Sequence, residues 1–336
     1  MHVPEPHCVD EFALTDEYAQ HLRDVHSKLA APEEFILEAL KDVSVGGIVS
    51  KRRIIAGEAN EVYDIRTSDE RDLIVRISRD REKDFEQERW AIDQCRKRDV
   101  PVPTILAIKH FCEGTNPIDI CIQDKLAGDL LSIAAASLPR DTVRDICVRI
   151  GELLTRVHGI RTKGHGYLNY QGEGQFRFTS DTLAREEERY LTLAKRTGFE
   201  ETAMRAILAI LFDLWRTPPV DPRLIHNDFR AKHVIVRGDG VAGIIDWGEV
   251  ASGSPINDFA KWDYWDGTRV PLEWLLEGYA CNKLDTAELD TQLHLKRLEY
   301  GVCVLWWYQH RGFAFGVKEA KRKLCRDLAF FTGRTA

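Results

Sequence analysis

The stretch that most constrains the fold is residues 224–249, LIHNDFRAKHVIVRGDGVAGIIDWGE. Residues 234–236 are a short β-branched run, residues 237–240 (RGDG) have the composition of a turn, and residues 243–246 form a second apolar run. This pattern predicts a β-hairpin that the HND segment enters and that Asp246 leaves. Because a tight hairpin brings its ends together, residues on either side of it should meet in space.

The two ends of this hairpin carry four side chains with ligand or acid–base chemistry: His226, Asp228, His233 and Asp246. Asp228 and Asp246 are 18 residues apart along the chain. The hairpin would bring two carboxylates together, one of them free and the other beside a second possible ligand. This arrangement suits an acid–base group adjacent to a divalent cation. The same four residues, taken alone, also fit a structural zinc site or a buried polar network with no catalytic role.

The surrounding motif resembles the catalytic loop of the aminoglycoside phosphotransferase family, the small-molecule branch of the protein-kinase-like fold. That loop reads H-G-D-x-x-x-x-N, followed by a hydrophobic run and I-D-W or I-D-F. Here His226-Asn227-Asp228 is followed by His233, where Asn is usual, and then by the Ile-Asp-Trp of residues 245–247. Macrolide phosphotransferases resemble this chain in having His at that position.

The resemblance implies a role for each residue of the loop. Asp228 would be the catalytic residue that orients or deprotonates the substrate hydroxyl. Asp246, together with His233, would hold Mg²⁺, or alternatively Mn²⁺, against the nucleotide phosphates. Asp258, in a segment resembling the family's G-D-P-x-x-D-L-A, would brace the loop without reacting.

The resemblance implies an α+β, bilobal protein-kinase-like fold, and the order of strand-like and helix-like segments agrees with it. Five strand-like runs and one helix over the first third indicate an antiparallel sheet, and the later segments read as a larger, mostly helical lobe. We divide the chain into a polar leader (residues 1–31), a nucleotide-binding lobe (32–125) and a catalytic and substrate lobe (126–336).

The resemblance also implies where ATP or GTP would bind. Arg76 lies where kinases carry a phosphate-binding lysine, and hygromycin phosphotransferases have arginine at the corresponding place. Glu88 would hold Arg76 in position, and Glu86 is the alternative if the helix register shifts. A surface arginine on an edge strand is the other reading of Arg76. The full set of candidate nucleotide-binding residues is Gly57, Asn60, Arg76, Glu88, Gln123, Asp124 and Leu126, with Leu126 or Ile122 lining the slot for the purine.

Charge and composition exclude several classes of partner. The net charge of −7 leaves no basic surface typical of a nucleic-acid-binding protein. The sequence shows neither a signal peptide nor an apolar run long enough to span a membrane. The eight cysteines include no C-x-x-C pair, which is typical of reduced thiols. We therefore expect a cytoplasmic monomer or weak dimer that binds no nucleic acid and no membrane.

Residues 246–290 contain ten acidic and only three basic side chains, interleaved with aromatic residues. An acidic and aromatic surface suits an amine-bearing ligand through charge and cation–π contacts. Amphipathic helices with solvated outer faces explain the same composition. The candidate substrate-binding residues are Glu249, Asp263, Asp266, Trp262 and Trp265.

Together these features predict a kinase that transfers the γ-phosphate of ATP or GTP to a hydroxyl of a cationic small molecule. An aminoglycoside-type antibiotic is the leading candidate, with a macrolide second because of His233, and either substrate implies antibiotic resistance. A metabolic kinase for choline, ethanolamine or a sugar would share every nucleotide-binding residue. A nucleotide-binding pseudoenzyme is the non-enzymatic alternative. Arg76, His233 and the phosphate-covering loop at residues 57–60, which has only one glycine, all depart from the common pattern of the family.

Overall fold

The alternation of apolar and polar residues in the first third of the chain builds a five-stranded antiparallel sheet in the order β1-β2-β3-β5-β4. The computed structural model describes residues 16–55, 60–79, 85–175, 180–216, 221–279 and 286–333. The elements of this part are α1 (Asp16–His26), α2 (Glu33–Lys41), β1 (Ile48–Ile54), β2 (Glu61–Thr67), β3 (Asp72–Ser78), α3 (Phe85–Arg96), β4 (Ile105–Glu113) and β5 (Asn116–Asp124). The predicted five-stranded sheet is confirmed.

The period of two along β3 assigns its residues to opposite faces of the sheet. Leu73, Val75 and Ile77 are buried in a core with the apolar side of α2. Arg76 faces the other way and contacts α3. Ile122 of β5 belongs to the α2 core, so it lies on the face opposite to Arg76 and does not line a purine slot beside it.

The N-terminal segment, described above as a polar leader, contains a helix that packs against the C-terminal part. Residues 16–26 form helix α1, in which Leu22 is buried. The rings of Tyr18 and His21 lie 5.9 and 4.8 Å from the ring of Phe313 in the C-terminal part. Leu22 follows Tyr18 by four residues, one helical turn, and this spacing places both side chains on one face. Residues 1–15 lie outside the described residues.

Helices and short strands make up the remainder. The described helices contain no segment that is both long and apolar enough to cross a membrane. The elements are β6 (Asp129–Leu130), α4 (Leu131–Ala134), α5 (Arg140–His158), β7 (Gly166–Tyr167), α6 (Ser180–Thr197), α7 (Glu201–Arg216), β8 (Arg223–Ile225), β9 (Val234–Arg237), β10 (Gly240–Ile244), β11 (Ala251–Gly253), α8 (Ile256–Trp265), α9 (Leu272–Gly278), α10 (Thr286–Arg311) and α11 (Ala314–Thr332).

Two small sheets position the loops on either side of the predicted hairpin. β9 and β10 pair antiparallel, as predicted, through a turn in which Gly238 has a positive φ of 62°; a residue with a side chain rarely adopts that conformation. β8, which leads into the HND segment, pairs with β11, which follows Asp246. The residues before and after the hairpin are thus held side by side.

Candidate active site

His226 ties the entrance of the hairpin to its exit. Its imidazole is buried, and Nε2–H donates a hydrogen bond of 2.9 Å to the carbonyl of Ile245. The opposite nitrogen, Nδ1, accepts a hydrogen bond of 3.3 Å from the backbone N–H of Asp228. One fixed tautomer therefore links the segment carrying Asp228 to the residue immediately before Asp246.

Asp258 of α8 braces the same segment from below, as the resemblance implied. Its carboxylate is fully buried and accepts hydrogen bonds from the backbone N–H groups of His226 (2.9 Å) and Asn227 (2.7 Å). His158 Nε2 donates a third, at 3.0 Å. Asn227 has a positive φ of 61°, so Asp258 stabilises a strained backbone that aims Asp228 away from the core.

The carboxylate of Asp228 is only partly covered, with 25% of its side chain exposed. Burial alone would raise its pKa, but the charge interaction with His233, followed by those with Lys232 and Arg230, lowers the pKa overall. Asp228 is therefore ionised at neutral pH. An ionised, accessible carboxylate can accept a hydrogen bond from a hydroxyl group and orient it.

His233 lies between the two aspartates. Its Nδ1–H donates a hydrogen bond of 2.6 Å to the carbonyl of Asp228. Burial lowers the pKa of His233 to about 4, so the ring is neutral and Nε2 carries a lone pair. The Nε2 atom lies 3.3 Å from Oδ2 of Asp246.

Two electron-pair donors, the Nε2 of His233 and the carboxylate of Asp246, thus converge without a proton between them. This donor set fits a divalent cation that accepts nitrogen and oxygen ligands. Among the described residues no group of three or more His, Cys, Asp or Glu side chains could hold a metal ion. The remaining ligands would have to be phosphate oxygens and water, which is the usual arrangement for Mg²⁺.

Arg76 connects the sheet to this site. Its guanidinium donates to Glu88 at 2.5 Å and to Asp246 at 2.9 Å. Although burial lowers the pKa of Arg76, Glu88 and then Asp246 raise it, so the guanidinium is charged. The predicted contact between Arg76 and Glu88 is present, and Glu86 instead lies 3.7 Å from Arg89.

The contact between Arg76 and Asp246 had no signal in the local sequence, since 170 residues separate the two. Gly248 explains how they approach. A Cβ atom at Gly248 would lie 3.1 Å from Oε1 of Glu88 and 3.6 Å from Nη2 of Arg76. A larger side chain there would push the ion pair aside.

Three of the other candidate nucleotide-binding residues lie at or just after the end of β5. Gln123 is buried near the end of β5, and Asp124 accepts a hydrogen bond of 3.2 Å from Arg71. Leu126 packs against β10, where a Cβ on Gly243 would lie 2.4 Å from its Cδ1. Asn60 is partly buried just before β2, and Gly57 lies outside the described residues.

Most of the predicted acidic and aromatic substrate surface is instead part of the core. Trp262 is fully buried, and its Nε1–H donates to the carbonyl of Val270 at 2.8 Å. Trp265 is also buried, and Asp266 accepts a hydrogen bond from the backbone N–H of Ala231 at 2.9 Å. These three side chains are buried in or just after α8, so they offer little surface to a substrate in this structure.

Cations from distant parts of the chain also neutralise this acidic segment. Arg297 of α10 pairs with Asp263. Arg230 lies 4.2 Å from the ring centre of Trp265, and Lys323 lies 4.7 Å from it. A charge count over a local window omits these partners. The net charge counted over residues 246–290 therefore overstates the charge available to a ligand, because Asp263 is already paired.

Glu249 remains beside the site, in the turn that follows Asp246. Its carboxylate accepts a hydrogen bond of 2.8 Å from the hydroxyl of Tyr167. Lys261, which donates to Asn227 and lies 4.5 Å from the ring centre of Tyr300, is a further neighbour of the loop. The sequence analysis missed Tyr167, Lys261 and Tyr300, and the only available signal was the GHGYL turn that contains Tyr167.

Comparisons with known proteins agree with this geometry. The phosphotransferase enzyme family matches residues 51–287. The apo form of a thermostable mutant of aminoglycoside phosphotransferase APH(4)-Ia is similar in structure, with a TM-score of 0.72 at 18% identity over 90% of this chain and 100% of the other. A ternary complex of that enzyme with ADP and hygromycin B gives 0.70 at 19% identity over 91% and 100%.

The gentamicin complex of APH(2")-IIa has a TM-score of 0.63 at 13% identity, over 88% of this chain and 97% of the other. At these identities the likeness shows the fold, and it confirms the predicted bilobal kinase-like architecture. A search of curated protein sequences found no match. Because the family match extends over more than half of the sequence, the chain belongs to the phosphotransferase enzyme family.

Proposed function

We propose that this phosphotransferase transfers the γ-phosphate of ATP or GTP to a hydroxyl of an amine-bearing small molecule. The observation that carries the proposal is the convergence on His233 of two ionised and accessible carboxylates, Asp228 and Asp246. A phosphoryl-transfer site needs one such group for the incoming hydroxyl and one for the cation at the phosphates. A purely structural cluster would bury both.

The residues of the chain would divide the work as follows. Asp228 accepts the hydrogen bond of the acceptor hydroxyl and takes up its proton. The hydroxyl oxygen bonds to the γ-phosphorus as the bond to the β,γ-bridging oxygen breaks, and ADP or GDP leaves. Arg76, held by Glu88, aligns the phosphates, and a guanidinium matches phosphate geometry well. His233 and Asp246 would hold the divalent cation, which supplies neutralisation of phosphate charge.

The leading acceptor is an aminoglycoside-type antibiotic, and a macrolide is the second. Support for the first comes from the solved structures of similar fold, which are described as complexes with hygromycin B and gentamicin. Support for the nucleotide comes from the same group, in which ADP and GDP complexes occur. A role in antibiotic resistance follows if such a compound is the acceptor in the cell.

A two-stage experiment tests this function. Thermal-shift titrations with ATP and GTP, each with Mg²⁺ or Mn²⁺, would be crossed with hygromycin B, kanamycin, gentamicin, erythromycin, choline and ethanolamine. Mass spectrometry would then detect phosphate added to each acceptor. We expect one nucleotide to stabilise the protein and one amine-bearing acceptor to gain phosphate.

The outcomes separate the alternatives. Transfer to choline or ethanolamine alone would replace the antibiotic by a metabolic amine alcohol. Tight nucleotide binding with no transfer to any acceptor would contradict the proposal and support a pseudoenzyme. The variant Asp228→Asn is the control for background hydrolysis.

The metal assignment has its own test. Mn²⁺ binding in the presence of nucleotide can be followed by electron paramagnetic resonance for the wild type, His233→Asn and His233→Ala. Because Mg²⁺ prefers oxygen ligands to nitrogen, His233→Asn should retain the metal and weaken the preference for Mn²⁺ over Mg²⁺. His233→Ala should bind both ions less tightly. Identical metal dependence in all three proteins would show that His233 is not a ligand.

A further inference from the structure

Tyr167 occupies a position beside the site that the main chain fixes. In β7, Tyr167 pairs with Ala251 of β11, and Ala251 pairs with Ile225 of β8. β8 leads directly to Asp228, and β11 begins shortly after Glu249. The ladder therefore holds Tyr167 next to both segments of the active site, without requiring any contact from its side chain.

The side chain of Tyr167 is accessible but anchored. Its relative exposure is 46%, and its hydroxyl donates to Oε2 of Glu249 at 2.8 Å. Burial by the surrounding protein, and then Glu249, raise its pKa, and the charge of Asp228 contributes in the same direction. The ring is therefore accessible to a ligand, while its hydroxyl is held by Glu249.

The segment that carries Asp228 follows β8 directly, and the ladder places Tyr167 beside that segment. Tyr167 and Glu249 therefore form a hydrogen-bonded pair next to the catalytic loop.

The chemistry of the Tyr167 side favours a positive charge. The face of a tyrosine ring attracts cations, and a carboxylate at its edge adds a full negative charge. We propose that Tyr167 and Glu249 bind an ammonium group of the acceptor beside the catalytic loop, an inference that rests on the kinase function proposed above. This pair takes the place of the acidic and aromatic residues of α8, whose side chains are largely buried.

Binding can be measured without turnover. Protein labelled with 3-fluorotyrosine would be titrated with choline and with 3,3-dimethylbutan-1-ol, its uncharged isostere, and followed by ¹⁹F NMR. The signal lost in Tyr167→Phe identifies Tyr167. We expect choline, and not the neutral alcohol, to shift that signal, while the signal of Tyr170 stays in place; Tyr170 is 65% exposed three residues away. No response to choline, or an equal response to both probes, would overturn the proposal.

Kinetics give the second measurement, with hygromycin B as the acceptor and Tyr170→Leu as the matched control. Tyr167→Leu removes the ring, and Tyr167→Phe removes only the hydrogen bond to Glu249. A cation–π contact in a partly desolvated site corresponds to a rise in acceptor KM of roughly 3- to 30-fold. That rise is expected for Tyr167→Leu, with a smaller one for Tyr167→Phe and unchanged nucleotide affinity in both.

Failure of the site and failure of the function give different results. Transfer to hygromycin B with an unchanged acceptor KM in Tyr167→Leu would overturn the site and leave the function intact. A choline response at Tyr167 in a protein that phosphorylates no acceptor would overturn the function and leave the cation site intact.

Discussion

Two regions of the molecule use aspartates in opposite ways. In the active site, the side chains of Asp228 and Asp246 are 25% and 46% exposed. Between α10 and α11, Asp327 is fully buried and accepts hydrogen bonds from His294, Arg297 and Arg326, each at 3.0 Å. The first pair keeps oxygen atoms accessible, whereas the carboxylate of Asp327 is enclosed by donors.

The difference shows which carboxylates can react and which can only support. Burying a charge is costly unless hydrogen bonds and opposite charges compensate it. Asp327 and Asp258 meet that condition entirely within the protein. Asp228 and Asp246 meet it only in part, which leaves them able to bind a hydroxyl or a cation.

The largest expected effect is on turnover in Asp228→Asn. Loss of a positioned general base typically lowers the rate by about 10²- to 10⁴-fold, and the amide cannot take up a proton. Steady-state kinetics with the acceptor found in the screen would measure it. Circular dichroism and nucleotide titration should show an unchanged fold and nucleotide affinity. Turnover close to that of the wild type would remove Asp228 from the mechanism.

Asp258→Asn should have the opposite effect to Asp228→Asn: it should lower the stability of the fold. An amide leaves at least one backbone N–H of the loop facing another N–H donor. Removing one partner from a buried charged network costs about 3–5 kcal/mol, which urea denaturation would detect as a lower free energy of unfolding. Asp228→Asn is the matched control and should change that free energy by less than about 1 kcal/mol. If both variants are equally stable, the division between reacting and supporting carboxylates is wrong.

The pair Arg76–Glu88 is an intermediate case, because both residues are buried but face the site. Arg76→Ala and Glu88→Ala should each lower kcat/KM. The double mutant should lose less than the two effects combined, by about 0.5–3 kcal/mol of coupling. Glu86→Ala is the control, because Glu86 lies two residues from Glu88 in α3 and is 3.7 Å from Arg89. Additive losses would show that the two residues act separately.

Asp327→Asn should give the smallest effect, and one that depends on pH. Burial would raise the pKa of Asp327, but the hydrogen bond from His294 and the charges of Arg326 and Arg297 lower it overall. Because the pKa of Asp327 is lower in the folded state, its ionised carboxylate stabilises the fold at any pH above its pKa in the unfolded chain, near 3.9. This stabilisation is lost as the pH falls through the pKa of the folded state.

We therefore expect Asp327→Asn to be less stable than the wild type by about 1–2 kcal/mol at neutral pH. The loss is smaller than for Asp258→Asn because the side chain of Arg326 is 43% exposed and can be solvated in the variant. The gap should close below about pH 4, while turnover is unchanged. Urea denaturation across the pH range measures it. The control is Asp290→Asn, whose exposed side chain lies 3.8 Å from His294. A gap that persists at low pH would mean that the network is not held by the charge of Asp327.

Local patterns were sufficient where the structure depends on near neighbours. Helix α5 runs from Arg140 to His158 and is followed by Gly159; its apolar period and the glycine that follows it are both local signals. The five strands and the hairpin follow from alternation and turn residues in the same way. The contact of Arg76 with Glu88 was foreseen from the resemblance, and the two residues are only 12 positions apart.

Tertiary contacts decided the features that the sequence could not reveal. The aromatic residues of α8 have the composition of a ligand surface, but packing directs Trp262 inward. Asp263 meets Arg297 from 34 residues away, so no local charge count includes that partner. Tyr167 reaches the site only because β7 pairs with β11. Composition identifies what a segment contains, and the fold determines which of those groups meet solvent.

The contact of Arg76 with Asp246 has a consequence for how the site responds to salt. A phosphate group that reaches Arg76 has to displace the Asp246 carboxylate from it, so that binding exchanges one anionic partner for another. Such an exchange releases fewer counterions than the neutralisation of a free guanidinium. The affinity for a nucleotide should therefore vary less with ionic strength than the number of charges in the site suggests, and Asp246→Asn should make that dependence steeper.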